Sequence, residues 1–126
     1  ALTSNPEGPE VQGAMSGEHT VAGRVLAEVR SRNGAARPMG SVGLVVGANL
    51  EALSEDVDVN GPILAPGFGA QGGTAAHLAR LFIGVQDKVL PSTSREVLAT
   101  GPDSAALRSA AARAVDEAAA ALAGPG

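Results

Sequence analysis

Two short stretches in the second half of the chain combine residue types that bind anions. The first is PILAPGFGAQGG, residues 62–73, in which Gly67, Gly69, Gly72 and Gly73 follow an apolar run. Glycines crowd together where the backbone must turn sharply or approach a ligand closely. The second is STSREVL, residues 92–98, where Ser94 and Arg95 are predicted to open a short helix. Backbone N–H groups at a helix start and a guanidinium both attract phosphate oxygens, so the two stretches together predict a phosphate site.

The glycine spacing also fits a dinucleotide-binding fingerprint, which needs a preceding strand, a following helix and an acid about 20 residues further on. Asp87 has that separation from Gly67. However, Asp87 precedes the next predicted strand, which places it at the opposite edge of the sheet from the glycines. Thr74 is the predicted N-cap of the following helix, so the loop is longer than a Rossmann turn. A single phosphate therefore fits the two stretches better than a dinucleotide.

Simpler readings exist for the other polar residues. Ser94 could be only an N-cap and Arg95 only a solvated charge. The stretch DVDVNG, residues 56–61, resembles the start of a calcium loop, but its twelfth position is a glycine, so a solvated turn without metal is expected. His19 and His77 fall on predicted helices without partners at ligand spacing, which favours surface roles and no metal site.

Composition narrows the class of protein. The 126 residues suit one domain, with 44% hydrophobic and 17% charged residues. The net charge of −4 and the lack of long basic runs argue against nucleic acid as a partner. There is no cysteine, no apolar run of membrane-spanning length and no visible signal peptide, so a cytoplasmic protein is expected.

The elements that must position the two stretches alternate between strands and helices. Strands are predicted near residues 1–4, 42–46, 62–66 and 88–92, and helices near 18–33, 50–55, 74–82, 94–100 and 103–123. The strands are continuous apolar runs, as expected for parallel strands that are buried on both faces in a sheet covered by helices. This order predicts an α/β fold, either a small doubly wound sheet or part of a (β/α)8 barrel.

The segments TSNPEG, VGLVVGA, ILAPGFGAQGG and VLPSTSREVL, in this order, resemble orotidine 5′-phosphate decarboxylase, and most closely its branch typical of actinobacteria. The resemblance covers nearly all of the chain but only the C-terminal half of that family's (β/α)8 TIM barrel. It implies that residues 1–126 are one half-barrel, strands 5 to 8, carrying the phosphate-binding loops. The abrupt start of the sequence inside a predicted strand agrees with this expectation.

The resemblance also implies roles for single residues. Ser4 corresponds to a serine that hydrogen-bonds the pyrimidine, and Pro66 to a proline near the base. Gln71 corresponds to the glutamine of the closing phosphate loop, within the loop glycines 67, 69, 72 and 73. Ser94 and Arg95 correspond to residues that give the phosphate a backbone N–H and a guanidinium.

The family converts orotidine 5′-phosphate to uridine 5′-phosphate (UMP) as a homodimer, without metal or organic cofactor. Its Asp-x-Lys-x-x-Asp catalytic segment is absent from this sequence, whose one lysine, Lys88, precedes a strand. The resemblance therefore implies an enzyme segment that binds substrate, contains no catalytic residue and has the N-terminal half-barrel as its partner. A non-catalytic nucleotide-phosphate-binding module and a Rossmann-type fragment remain the alternatives.

Overall fold

The computed structural model describes residues 2–123. In chain order the elements are α1 (Gly8–Gln12), β1 (Met15–Ser16), β2 (His19–Thr20), α2 (Val21–Asn33), β3 (Leu44–Val45), β4 (Ile63–Pro66), α3 (Ala75–Leu81), a 3-10 turn (Gln86–Lys88), β5 (Val89–Ser92), α4 (Arg95–Leu98) and α5 (Ser104–Leu122). Apart from the small antiparallel hairpin β1–β2, the strands belong to one parallel sheet. The predicted α/β class with a parallel sheet is confirmed.

The parallel sheet has the order β3-β4-β5, and Leu2 extends it on the β3 side. Leu44 pairs with Ile63, which pairs with Val89. Leu2 forms an isolated parallel bridge to Val46, so the strand predicted at the start of the chain is present at that residue. All four strand segments run in the same direction, and their carboxyl ends therefore lie along one edge.

One face of this sheet forms the core with the helices. Alternate strand residues such as Leu44, Ile63 and Val89 point to that face and are buried with side chains of α2 and α3. The opposite face presents Val45, Leu64 and Leu90, which are 43%, 42% and 59% exposed and lie side by side in the sheet register. The expectation that the strands are buried on both faces is therefore wrong for the described part of the chain.

Several helix boundaries follow from capping. Thr20 accepts a hydrogen bond from the Gly23 N–H at 2.8 Å and starts α2. The helix predicted from residue 18 consequently begins at Val21, and His19 lies in β2 rather than on a helix. Thr74 caps α3 as predicted, and His77 completes this cap by accepting from the Thr74 N–H at 3.2 Å.

The segment of residues 50–55 contains no helix, contrary to prediction. Leu50 and Leu53 pack against the core from irregular backbone. Glu55 accepts a hydrogen bond from the Thr20 hydroxyl at 2.5 Å, which ties the segment to the start of α2. So short a segment gains little from helix formation alone, and the tertiary contacts decide its conformation.

Asn33, the last residue of α2, is the one buried polar side chain among the described residues and is 1% exposed. Its Nδ2 donates to the carbonyls of Val42 and Val59 at 2.8 and 3.0 Å, and its Oδ1 accepts from the Val42 N–H at 3.3 Å. A Cβ atom at Gly40 or Gly61 would enter the space of this carboxamide. Asn33 thus joins the end of α2 to the segments that lead into β3 and β4.

A second set of polar contacts lies at the same end of the sheet. Lys88 donates to Asp58 Oδ1 at 2.6 Å, and Arg30 donates to the Asp58 carbonyl at 2.9 Å. The hydrogen bond from Lys88, helped by the Asn60 N–H, lowers the pKa of the Asp58 carboxyl. The acidic turn at residues 56–61 is therefore held by cationic side chains, and Lys88 is engaged just before β5.

Replacing Asn33 by alanine should destabilise the fold by about 2–4 kcal/mol, because buried backbone groups of Val42 and Val59 lose their partners. Urea denaturation measures the change. Asn5→Ala, at an exposed position, is the control and should stay within about 0.5 kcal/mol of the parent protein. Similar losses in both variants would contradict this role for Asn33.

Asp58 should contribute to the pH dependence of stability. Since its pKa is lowered in the folded state, its contribution is complete above the ordinary aspartate value of about 3.9 and is lost as the pH falls through the lower folded value. Asp58→Asn should therefore differ most from the parent protein at neutral pH and converge with it as the pH falls through the lowered pKa of Asp58. Urea midpoints between pH 2 and 7 test this, with Asp116→Asn on α5 as control. A constant difference across the range would refute the assignment.

Candidate functional site

The pairing of β4 with β5 places the two anion-binding stretches side by side. Pro66, the last residue of β4, is the register partner of Ser92, the last residue of β5. The glycine loop, residues 67–73, leaves β4 at this point, and the segment that leads into α4 leaves β5 beside it. The carboxyl edge of the sheet therefore brings together both predicted stretches.

A cleft of about 140 Å³ lies between these two segments. It is lined by Pro66, Gly67, Phe68, Ala70 and Gln71 from one segment and by Ser92, Thr93, Ser94 and Arg95 from the other. Of the residues predicted for the site, the structure thus gathers Pro66, Gly67, Gln71, Ser94 and Arg95 around one space. Ser4, Gly69, Gly72 and Gly73 are not part of this lining.

Hydrogen bonds within the glycine loop fold it back on itself. The Gly69 N–H donates to the Gly73 carbonyl at 2.7 Å, and the Gly73 N–H donates to the Gly67 carbonyl at 2.9 Å. Gly67, Gly69 and Gly72 have φ angles of +91°, +80° and +93°, which side chains rarely allow. The loop conformation therefore explains why these positions are glycines, and it leaves Gln71 exposed near the tip.

Gly69 also packs directly against α4. The carboxylate of Glu96 occupies the space that a Cβ atom at position 69 would need, and Thr93 Oγ1 would lie 3.3 Å from such an atom. A side chain at Gly73 would meet the Gly67 carbonyl at 2.6 Å. These contacts fix the loop close to the start of α4 and thereby define the width of the cleft.

The start of α4 offers hydrogen-bond donors to the cleft. Ser94 occupies the N-cap position of α4, as the simpler reading expected, but its side chain makes no capping hydrogen bond. The first helical hydrogen bond is donated by the Leu98 N–H to the Ser94 carbonyl, which leaves the preceding N–H groups of α4 without a helical acceptor. Arg95 is exposed beside them, so this side of the cleft favours an anion.

Ser4 lies elsewhere on the same edge of the sheet. It follows the Leu2 bridge by two residues and is exposed. Between Ser4 and the cleft lies the carboxyl end of β3, and Gly47, two residues beyond that strand, donates its N–H to the Leu2 carbonyl at 2.9 Å. The structure thus places Ser4 at the open side of the sheet, two strands away from β4.

Asn49 is a contributor that the sequence reasoning missed. Its Nδ2 donates to the Gln71 carbonyl at 3.2 Å, and its Oδ1 would lie 3.3 Å from a Cβ atom at Gly67. Asn49 thus supports the glycine loop from the end of β3. The sequence contains a weak signal for it, since an amide a few residues beyond the predicted strand 42–46 falls near the carboxyl edge of a parallel sheet.

Other candidate residues stay away from the cleft. Asp87 lies in the 3-10 turn before β5, at the opposite end of that strand from the glycine loop. Within residues 2–123, no three His, Cys, Asp or Glu side chains come close enough together to hold a metal ion. Over the same residues, no helix has the length and apolar character needed to cross a membrane.

Comparison with known proteins finds relatives that are identical to this chain at about half of the aligned residues. The chain is 55% identical to a protein of Salinispora arenicola and 52% identical to a protein of Streptomyces coelicolor, both named orotidine 5′-phosphate decarboxylase. The matches cover 98% and 90% of this chain but 45% and 41% of those proteins. The chain therefore spans somewhat less than half the length of the curated relatives it matches. No protein-family profile matches the sequence.

A solved structure agrees with these relatives. A crystal structure from Streptomyces avermitilis, provisionally described as an orotidine 5′-phosphate decarboxylase, superimposes with a TM-score of 0.91 at 50% sequence identity. The match covers 98% of this chain and 44% of the other. The predicted resemblance is confirmed: in sequence and in structure, the chain is homologous to a segment, a little under half, of orotidine 5′-phosphate decarboxylases.

Proposed function

We propose that this chain is the nucleotide-binding segment of an orotidine 5′-phosphate decarboxylase, which converts orotidine 5′-phosphate to UMP in pyrimidine synthesis. The observation that carries the proposal is the cleft between the glycine loop and α4. Pro66, Gln71, Ser94 and Arg95 surround it, and the family resemblance implies a substrate contact for each of them.

The phosphate end of the nucleotide would bind at the start of α4. Arg95 presents five N–H donors in a planar fork, which suits two phosphate oxygens at once. The N–H groups at the start of α4, which have no helical acceptor, add donors from the backbone. Binding energy gained at this remote phosphate supports decarboxylation when it stabilises the transition state at the base.

The base end would lie towards β4 and the first strand. Pro66 gives this side an apolar wall, and Ser4 provides a hydroxyl at the open end of the sheet. Gln71 stands between the two ends, on a loop held by its own backbone and by Asn49. Gln71 would therefore cover the nucleotide and restrict water near the reacting carbon.

We further propose that residues 1–126 form one half of a (β/α)8 barrel, corresponding to its strands 5 to 8. Four parallel strand segments in sequential order, from Leu2 to β5, support this arrangement. Val45, Leu64 and Leu90 would then face the barrel interior, where the other half completes the packing. A separate apolar groove of about 700 Å³ lies beside β5 on the helix side of the sheet and is lined by residues such as Pro91, Leu98 and Val115.

The chemical step would depend on residues outside this chain. Protonation of a carbanion requires an acid within hydrogen-bond reach, and the cleft lining contains no carboxylate or lysine. Lys88 is bound to Asp58 at the other end of the sheet. The partners proposed for this chain are therefore an N-terminal half-barrel that contains the acid and base residues, and a second subunit in a homodimer.

Arg95→Ala in the complete enzyme should weaken UMP binding by about 10- to 150-fold, the effect of losing a charge-assisted contact of about 1.5–3 kcal/mol. Binding of uridine, which has no phosphate, should barely change. Isothermal titration calorimetry with both ligands measures the difference.

Arg113→Ala is the matched control, because Arg113 is an exposed arginine on α5 outside the cleft lining. It should leave both affinities within about twofold of the parent enzyme. Equal losses for UMP and uridine in Arg95→Ala would rule out Arg95 as the phosphate anchor.

The chain alone should not decarboxylate orotidine 5′-phosphate, and it should self-associate through its unpaired edges and exposed apolar face. Co-expression with the unmatched portion of the Salinispora arenicola relative should restore both activity and a defined complex. Light scattering measures the association state of the chain and of the complex, and an absorbance assay measures decarboxylation. Decarboxylation by the chain alone would overturn the proposal that it is half of the enzyme. Nucleotide binding without activity in the complex would favour a non-catalytic binding module.

A further inference from the structure

The side chain of Gln12, at the end of α1, binds the backbone of Thr3. The Thr3 N–H donates to Gln12 Oε1 at 2.5 Å, and Gln12 Nε2 donates to the Thr3 carbonyl at 3.4 Å, a longer and weaker contact. A single carboxamide thus engages both polar backbone groups of one residue, as a peptide group of a neighbouring strand would do.

The geometry of the first strand explains why these groups are available. The Leu2 N–H donates to the Val45 carbonyl at 3.0 Å, and the Leu2 carbonyl accepts from Gly47, so the polar groups of Leu2 point towards β3. Successive residues of a strand direct their backbone groups to opposite sides. The groups of Thr3 therefore point to the open edge of the sheet, where Gln12 occupies them.

Hydrogen bonds fix the backbone before and after Ser4. The Asn5 N–H donates to Thr3 Oγ1 at 3.2 Å, and the Asn5 carbonyl accepts from the Gly8 N–H at 2.9 Å. A Cβ atom at Gly8 would lie 2.8 Å from the Thr3 side chain, so α1 approaches this turn closely. Within the described residues, the Ser4 hydroxyl takes part in none of these hydrogen bonds.

We infer that Gln12 is a positioning residue for Ser4. The Thr3 carbonyl belongs to the same planar peptide unit as the Ser4 N–H, so fixing this carbonyl also fixes the direction in which the Ser4 Cα leaves the strand. Gln12 acts through this peptide unit and has no contact with the nucleotide. The inference rests on the proposed function, in which Ser4 hydrogen-bonds the base.

If Gln12 positions Ser4, replacing Gln12 should affect only the base end of the site. Removing the Gln12 carboxamide would let the Thr3–Ser4 peptide rotate and would weaken the hydrogen bond from Ser4. The phosphate contacts of Arg95 lie beyond β5, three strands away, and would not change. The effect of Gln12 should therefore depend on Ser4 and should be independent of Arg95.

A double-mutant cycle in the complete enzyme tests the inference. Gln12→Ala should lower kcat/KM by about 3- to 10-fold, the effect of about one ordinary hydrogen bond. In a Ser4→Ala background the same change should cost less than about twofold, and in an Arg95→Ala background it should keep its full effect. Glu10→Ala, at an exposed position on α1, is the matched control and should leave kcat/KM unchanged.

The possible outcomes separate this inference from the proposed function. If Gln12→Ala lowers kcat/KM equally with and without the Ser4 hydroxyl, Gln12 does not act through Ser4, and the inference is wrong while the function stands. If Ser4→Ala alone has no effect, both the role of Ser4 and the inference are wrong. An inactive parent enzyme would refute the proposed function itself.

Gln12→Glu provides a second variant if Gln12→Ala does not fold. It keeps the acceptor for the Thr3 N–H but loses the donor to the Thr3 carbonyl. The same dependence on Ser4 is expected, and thermal unfolding of each variant separates loss of structure from loss of positioning. Equal loss from Gln12→Glu in both backgrounds would likewise overturn the inference.

Discussion

The register between β4 and β5 is the constraint on which the candidate site depends. Four consecutive residue pairs, from Ile63 with Val89 to Pro66 with Ser92, fix the two strands against each other. A shift by one residue would move every side chain to the other face of the sheet. It would bury Leu64 and Leu90, expose the core residues, and separate the glycine loop from the start of α4. The same pairing therefore determines the core and the cleft.

The sequence predicted the order and type of most elements because their signals are local. Thr74 before an apolar stripe indicates a capped helix, and the alanine-rich segment after Asp103 strongly favours α5. Residues 50–55 misled the prediction, because their conformation depends on contacts with α2 and the core. The short hairpin β1–β2 was missed, since strands of two residues have almost no periodicity to detect.

The residues of the candidate site could be predicted from the sequence about as well as the helices and strands. Residue types and a family resemblance identified Pro66, Gln71, Ser94 and Arg95, and the structure brings these four together. The glycines were expected to approach a ligand, but their φ angles and close contacts explain most of them through loop geometry. The supporting residue Gln12 could not be found from the sequence, because it acts on the backbone of Thr3, and Asn49 carried only the weak signal of its position after a strand.

The contact between Glu96 and Gly69 has a consequence for how the site tolerates sequence change. The φ angle of +80° is the barrier to a side chain at position 69, because the Glu96 carboxylate is the far end of an exposed, flexible side chain that can turn away. Changing residue 96 therefore leaves the backbone requirement for glycine in place. Residue 96 is free to become smaller while Gly69 is retained, and no change at residue 96 compensates for a side chain at position 69.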